Sequence, residues 1–414
     1  MCPSPKSSPS SPVRAPKQRR ASAGRGESKA TKGSRSASKV ISDAGTRQPT
    51  PSALEACAAP LERWFAGSAR DLPWRRQRDG YRALVSELML QQTQVARVVE
   101  KFEPFLRRFP TPAALAEAPE DAVLALWQGL GYYRRARLLH AAAKAIVERH
   151  GGEVPSDPEA LRALPGVGRY TAGAVASIVF GRRVAIVDGN VTRVAQRVAA
   201  RPGHAADPKI VAWAWDEATR FAGRAERPGV ANEALMELGA TICTPMAPRC
   251  GSCPLASLCA ARREGLVDTI PAPKPRAARK SLVFVAACIR RADGAVLLEQ
   301  RARGGLWGGL WQPPSIEDPD GEALAPEAAA RRLGFDMALE PRGVVPFQTT
   351  HREIRFVVFA GSVRGKAAQL ETGGRRFVTE GALADTALSN AAKKVLDASA
   401  AAVTPSRARG ARRS

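Results

Sequence analysis

Apolar residues recur at three- and four-residue intervals through most of residues 53–242, the period of helices that each bury one face. The pattern predicts helices over Tyr81–Leu90, Val95–Arg108, Ala122–Leu126, Arg134–His150, Pro158–Leu164, Thr171–Phe180, Val191–Ala200, Lys209–Ala222 and Asn232–Ile242, and little that reads as strand. Ser156-Asp157-Pro158-Glu159 supplies a helix start, with Ser and Glu at capping-box spacing and proline inside the first turn. Beyond 271–280, rich in proline, lysine and arginine, the period changes. Strand-like runs follow at Leu282–Ile289, Ala295–Gln300 and Ile354–Ala360, with Gly-Gly turns at 304–305 and 308–309 and helices around 326–333 and 387–397. The expectation is a multi-domain chain with no internal repeat: an all-α domain over 53–242, a cysteine-bearing loop over 243–265, a linker over 266–280 and an α+β domain over 281–398. The flanks, 1–52 and 399–414, are basic and poor in large apolar residues, and are expected to be disordered.

Composition sharpens this picture. The 414 residues carry 63 Lys and Arg against 39 Asp and Glu, a formal charge of +24. Charge of that size points to a polyanion, nucleic acid before an anionic membrane. Residues 1–50 hold 11 basic and 2 acidic residues, so most of the excess belongs to the rest of the chain. The first segment has the Arg- and Ser-rich composition of a transit peptide but no amphipathic apolar face. Neither a run long enough to span a membrane nor a secretory signal is present, so a soluble, cytoplasmic protein is expected. Alanine- and arginine-rich usage suggests a GC-rich bacterial genome.

Three stretches carry candidate chemistry. Four of seven cysteines, Cys243, Cys250, Cys253 and Cys259, are spaced C-x6-C-x2-C-x5-C. Four thiolates can bind tetrahedral zinc or a 4Fe–4S cluster; zinc ribbons normally present two C-x2-C knuckles, and here only 250–253 is one, so the spacing favours iron–sulfur. Arg249, Arg262 and Arg263 lie beside these ligands and suit a DNA phosphate. The second stretch, LPGVGRYTAG (164–173), is a glycine-rich turn feeding a helix, either an ordinary helix–helix turn or an anion trap built from main-chain amides. No lysine follows Gly166-Val167-Gly168, which argues against a triphosphate. The third is a pair of carboxylates. In SELMLQQTQV (86–95) Glu87 sits among Val85, Leu88, Met89 and Leu90, which favour its neutral form, unless it is a surface residue of an amphipathic helix. Beside it, Gln91 and Gln92 look like readers of base edges. In AIVDGNV (185–191) Asp188 precedes Gly189-Asn190 at a helix start: an N-cap, or an ionised carboxylate facing developing positive charge. One neutral acid and one charged acid suit cleavage through an oxocarbenium-like transition state.

Taken in order, LPGVGRYTAG, VDGNV and the cysteine spacing resemble the helix-hairpin-helix DNA glycosylases of the endonuclease III superfamily. RDLPWR (70–75), SELMLQQTQV and WQGLGYYRRAR (127–137) look like the MutY-type adenine glycosylases within it, which act opposite 8-oxoguanine. The resemblance covers about 53–265, and 281–398 is similar to the Nudix-like C-terminal domain of that family. It implies that the hairpin holds a backbone phosphate through amides near Gly166 and Gly168, and that a 4Fe–4S cluster is bound by the four cysteines. Glu87 would protonate the flipped adenine, Asp188 would stabilise or attack the sugar cation, and Asn190 and Tyr170 would orient them. Gln92 and Tyr132 would fill the vacated stack, while Arg70, Trp74 and Glu233 would line the adenine pocket. Relatives that also cut the strand carry a lysine where this chain has Tyr170; a phenol forms no Schiff base, so a monofunctional enzyme is implied.

In the C-terminal domain, Nudix hydrolases need an R-E-x-x-E-E core to bind magnesium, and PEAAARRLG (326–334) supplies Ala and Arg instead. Recognition of 8-oxoguanine is the implied role, with Thr350 and His351 of Thr349-Thr350-His351 where the family often shows Phe-Ser-His. The implied partner is double-stranded DNA carrying an A:8-oxoguanine or A:G mispair, bound by a monomer. Two rival readings remain: a bifunctional endonuclease III-type lyase on oxidised pyrimidines, and a non-enzymatic iron–sulfur DNA-binding regulator.

Overall fold

A computed structural model describes residues 52–273, 278–364 and 367–400. The expectations for the two basic ends fall outside these residues, except for the few residues at 52 and 399–400.

The first part is helical, as the three-to-four-residue period requires. Its helices are α1 (Ala58–Ser68), α2 (Pro73–Arg76), α3 (Gly80–Leu90), α4 (Val95–Arg108), α5 (Pro112–Glu117), α6 (Glu120–Leu126), α7 (Arg134–His150), α8 (Pro158–Arg162), α9 (Arg169–Ile178), α10 (Gly189–Val198), α11 (Pro208–Arg224), α12 (Pro228–Thr241) and α13 (Ala260–Arg263). Several start where a short polar side chain replaces the missing intrahelical acceptor: Asp79 accepts from Arg82 N, Thr111 from Ala114 N and Asp157 from Ala160 N. The α8 start differs in detail from the sequence reading. Pro158 takes the first helical position, so Asp157 is the cap, and Ser156 Oγ instead accepts from Arg182 Nη2 at 2.9 Å. None of the described helices is long and apolar enough to cross a membrane.

Strands β1 (Lys280–Arg291), β2 (Val296–Gln300), β3 (Trp311–Gln312), β4 (Ser315–Glu317), β5 (Glu340–Gln348), β6 (Arg352–Val363) and β7 (Arg375–Val378) form one mixed sheet, flanked by α14 (Pro326–Arg332) and α15 (Asn390–Ala400). The central pair β1 and β6 is parallel, in register from Lys280 opposite Arg352 to Arg291 opposite Val363. Both faces of β1 are covered, which is why Leu282–Ile289 reads as a continuous apolar run and not as an alternation. β5, which the apolar pattern does not announce, is an edge strand with mostly exposed side chains and prolines at 341 and 346.

Three hydrophobic clusters organise the molecule. One joins α3, α4, α6, α7 and α9 to Leu282, Phe284, Ala286 and Cys288 of β1 and to α15, so helical and sheet parts share a single core. A second packs α1, α10, α11 and α12. The opposite face of β1, with Val283, Val285, Ala287 and Ile289, packs on α14 in the third. The seam between the first two clusters is where the chemistry gathers.

Candidate active site

Across that seam opens a cavity of about 740 Å³ lined from α3 and α9 on one wall and α10 and α12 on the other. Glu87, Gln91, Gln92, Gly166, Gly168, Tyr170, Asp188, Asn190, Arg70, Trp74 and Glu233 all line it, so most of the sequence-predicted residues meet in one place. Glu87 comes from α3 and is buried, 8% exposed. Loss of hydration pushes its pKa up to about 7; the adjacent Tyr170 hydroxyl opposes this, and the charges of Asp188 and Glu233 add to it. Tyr170, half-buried on α9, has its own pKa held well above the usual phenol value by burial.

Asp188 both starts a helix and lines the cavity. It is the N-cap of α10, with Oδ1 accepting from Val191 N at 2.7 Å, and it faces the cavity. Asn190 Nδ2 donates to its Oδ2 at 3.1 Å, and Asn190 Oδ1 accepts in turn from Arg193 Nη2 at 2.8 Å. Burial raises the Asp188 pKa, while the Val191 amide, Asn190 and the Arg193 charge pull the other way. Those donors and the positive end of the α10 dipole offset part of the burial and favour the charged form. Arg193 also donates to the carbonyls of Gly239 and Cys243, each at 2.8 Å, which ties the Asp188 end of the cavity to the start of the cysteine loop.

The rim of the cavity holds an ion-pair network that the sequence only half disclosed. Arg70 forks onto Glu237, Nε to Oε1 at 2.6 Å and Nη2 to Oε2 at 3.0 Å. Arg75 bridges Glu233 at 3.1 Å and Glu237 at 3.0 Å, and Arg78 also pairs with Glu233. Glu233 and Glu237 lie one turn apart on α12, and the arginines ahead of α3 reach across to them. Arg75, Arg78 and Glu237 were missed. The one available signal was the pair of acids at i and i+4 on an otherwise apolar helix. Trp74, half-buried, packs edge-on against Phe102 at 5.6 Å while lining the cavity.

Two non-glycine residues in left-handed backbone stand beside this site: Gln92 at φ 55° and Tyr132 at φ 47°. Such conformations are costly and concentrate where a side chain must be presented in a set direction. Gln92 is exposed at the cavity mouth. Tyr132 is 45% exposed and outside the cavity lining, its hydroxyl 2.9 Å from Thr350 Oγ1 in the sheet domain. Thr350 and His351 form the exposed turn between β5 and β6, closed by Thr349 with Arg352. In the hairpin, Gly166 adopts φ +78°, and a Cβ there would come within 2.6 Å of Leu138 Cβ. Gly168 caps α9 without any side-chain acceptor, which leaves its first-turn amides for an external anion.

The four cysteines line a separate cavity of about 20 Å³ between α10, α12 and α13, together with Arg197 and Arg262. None of the four is in a disulfide. Among the described residues no group of His, Cys, Asp or Glu is arranged to hold a single metal ion. Arg197, 2% exposed, donates to Cys243 Sγ at 3.4 Å and to the carbonyls of Thr244 and Ile270. A buried guanidinium aimed at one sulfur, with no carboxylate in the lining, fits an anionic group held by thiolates.

Residues 85–216 match the model of the HhH-GPD superfamily base excision DNA repair proteins, and residues 285–398 that of the NUDIX domain. The adenine DNA glycosylase of Rattus norvegicus is 35% identical over 390 residues, covering 80% of this chain and 75% of its own length. The chain belongs to the adenine DNA glycosylase family. The Homo sapiens member is 36% identical over 392 residues, covering 80% and 72%. That of Mycobacterium tuberculosis reaches 46% over 203 residues, 49% of this chain and 66% of its own. The solved structure of a thermostable thymine-DNA glycosylase, 26% identical, overlies 51% of this chain and 97% of its own with a TM-score of 0.46. Within the family's Nudix-like domain, α14 turns Ala329 and Ala330 into the core and leaves Glu327 exposed, so it lacks the clustered acids of a magnesium-binding hydrolase.

Proposed function

We propose that this glycosylase removes adenine paired with 8-oxoguanine, or with guanine, from double-stranded DNA as a monomer, and leaves the strand intact. The observation that carries the reading is that Glu87 and Asp188, from opposite walls, line one cavity in unlike environments: burial brings Glu87 to about 7, while at Asp188 the same burial is opposed by the Val191 amide, Asn190 and the Arg193 charge. Flipping is required because neither acid can reach a glycosidic bond inside the stack. Glu87, protonated up to about pH 7, delivers its proton to the adenine ring and makes it a leaving group. Positive charge then develops on the sugar, where Asp188, oriented by Asn190 and Val191 N, stabilises it. Tyr170 shares the cavity with Glu87 and supplies no amine, which supports a hydrolytic enzyme without a Schiff-base step.

Gly166 and Gly168 would seat a backbone phosphate, Gln92 and Tyr132 would fill the gap left in the duplex, and Arg70, Trp74 and Glu233 would bound the adenine. Thr350 and His351, beside Tyr132, would face the 8-oxoguanine. Cys243, Cys250, Cys253 and Cys259 would hold a 4Fe–4S cluster, whose contribution is to brace the loop that carries Arg249, Arg262 and Arg263 toward DNA.

Incubation with an A:8-oxoguanine duplex followed by alkali tests the reading: strand scission only after alkali is expected. Scission without alkali, or borohydride trapping on abasic DNA, would mark a lyase instead. Binding without any adenine release would mark a regulator.

A further inference from the structure

Arg135, in the first turn of α7, is a buried cation, 6% exposed, with no carboxylate at ion-pair distance among the described residues. Its partners are five neutral oxygens on three segments. Nη1 donates to the carbonyls of Leu88 at 2.7 Å and Met89 at 2.8 Å; Nη2 donates to Thr93 Oγ1 at 2.9 Å and to the carbonyls of Leu130 and Gly131 at 3.1 Å each. The guanidinium also lies 5.5 Å from the ring centroids of Trp127 and Tyr132. Taking a cation out of water without an anion beside it is expensive, and burial lowers the pKa to about 10. A position so costly calls for a reason beyond filling space.

The reason lies in what those oxygens belong to. Leu88 and Met89 are in the last turn of α3, whose carbonyls lack amide partners because the chain leaves the helix at Gln91 and turns left-handed at Gln92. Leu130 and Gly131 are the carbonyls just before Tyr132, the second left-handed residue. Thr93 Oγ1 lies within 3.3 Å of the Leu130 carbonyl, closing the gap between the two turns. One guanidinium thus holds the free carbonyls at the end of α3 and shares the Leu130 and Gly131 carbonyls with the Thr93 hydroxyl and the Trp127 indole N–H, so both turns are tied to the same group.

We infer that Arg135 is a positioning residue for base extrusion, locking the turns of Gln92 and Tyr132 into one rigid wedge fixed to the helix that carries Glu87. The inference rests on the adenine-removal reading for its substrate. A lysine cannot replace the fork, because a single ammonium has three donors and no plane with which to span three segments.

The test compares the full-length wild type with Arg135→Lys on two duplexes: adenine opposite 8-oxoguanine, and adenine opposite a stable abasic analogue, where the base is unpaired from the start. Single-turnover excision and stopped-flow fluorescence of a 2-aminopurine beside the target adenine are read on both, and a thermal melt checks the fold. On the paired duplex the variant should lose about 10- to 100-fold in both fluorescence rate and excision, while the unpaired adenine is excised within about threefold of wild type. On a Tyr132→Ala background, Arg135→Lys should add little further loss, as coupled residues require. An equal loss on the two duplexes, or normal extrusion with slow excision, overturns the inference. Should Arg135→Lys fail to fold, Thr93→Val removes one of the five oxygens at constant volume and must give the same split, on a smaller scale. Wild type that extrudes the base but releases no adenine would instead defeat the activity reading and leave the positioning role measurable by fluorescence.

Discussion

Glu87 and Asp188 differ because the fold treats identical chemistry in two ways, and each difference is measurable. The Glu87 carboxyl has an ordinary value of 4.5 and a folded value of about 7, so the folded chain holds that proton more tightly than the unfolded one. Its contribution to stability is fully present below pH 4.5 and is lost as pH rises through about 7. Glu87→Gln should therefore melt like wild type near pH 4 and be more stable at pH 8, by roughly 3 kcal/mol, on thermal melts at both pH values. The same variant should excise adenine about 100- to 10,000-fold more slowly, the range for a lost general acid, and wild-type single-turnover rates should decline above about pH 7. Asp188→Asn keeps the cap acceptor but drops the charge. Stability should stay within about 1 kcal/mol while excision is abolished and duplex binding by anisotropy is retained. Normal cutting by Asp188→Asn would remove the sugar-stabilising role altogether. At this scale the sequence disclosed residues whose meaning is local, such as an acid among apolar neighbours or an Asp before Gly-Asn. It did not disclose Arg75, Arg78 and Glu237, since their partners lie more than 150 positions away. Buried Arg135, Arg193 and Arg197 were equally hidden, because an arginine on a helix gives no sign of which face it occupies.

The helix-hairpin-helix element was legible because its constraints are written in glycine. Gly166 needs both a left-handed φ of +78° and the absence of a Cβ, which would otherwise stand 2.6 Å from Leu138 Cβ. Gly166→Ala must shift the backbone or the α7 side chain, costing about 1–3 kcal/mol. If the amides it misplaces meet phosphate, as proposed, and not bases, duplex affinity should fall by a similar factor for lesion and undamaged DNA. A filter-binding comparison of the two duplexes, with a melt alongside, checks this; a loss confined to lesion DNA would move the hairpin's role to base reading. Elements without such local constraint were harder to read. Edge strand β5 packs only Val345 and Phe347 against the core and is interrupted by Pro341, Gly343 and Pro346, so its alternation is too short to stand out. Helix α8 shows how one proline moves a cap by a residue, from Ser156 to Asp157.

At the scale of the whole molecule, the change of period near 280 marks where strands begin, not where the core ends. Phe284 and Val358 belong to the same cluster as Phe102, Trp127 and Leu139, so the two parts share one core at their contact. The join is also polar and directional. Gln128 Nε2 donates to the carbonyls of Thr386 and Leu388 at 3.3 and 3.1 Å, and Tyr133 Oη donates to the Leu388 carbonyl at 2.9 Å, all buried. Both donors lie in the loop that presents Tyr132 to Thr350, so they set the register between the tyrosine proposed to fill the stack and the turn proposed to face 8-oxoguanine. Gln128→Ala with Tyr133→Phe leaves the buried Leu388 carbonyl without a donor and the Thr386 carbonyl with only the Leu388 amide, a cost of about 1–3 kcal/mol for the orphaned group, and a melting temperature lower by several degrees is expected. Excision of adenine opposite guanine should change little, because neither residue touches the cavity of Glu87 and Asp188. The advantage of 8-oxoguanine over guanine should shrink by about 5- to 50-fold, the size of a typical coupling free energy. Single-turnover rates on the two mispairs decide the matter: an unchanged ratio in a destabilised protein would mean that the interface serves stability alone and that lesion preference is set without Tyr132 and Thr350 being held in register.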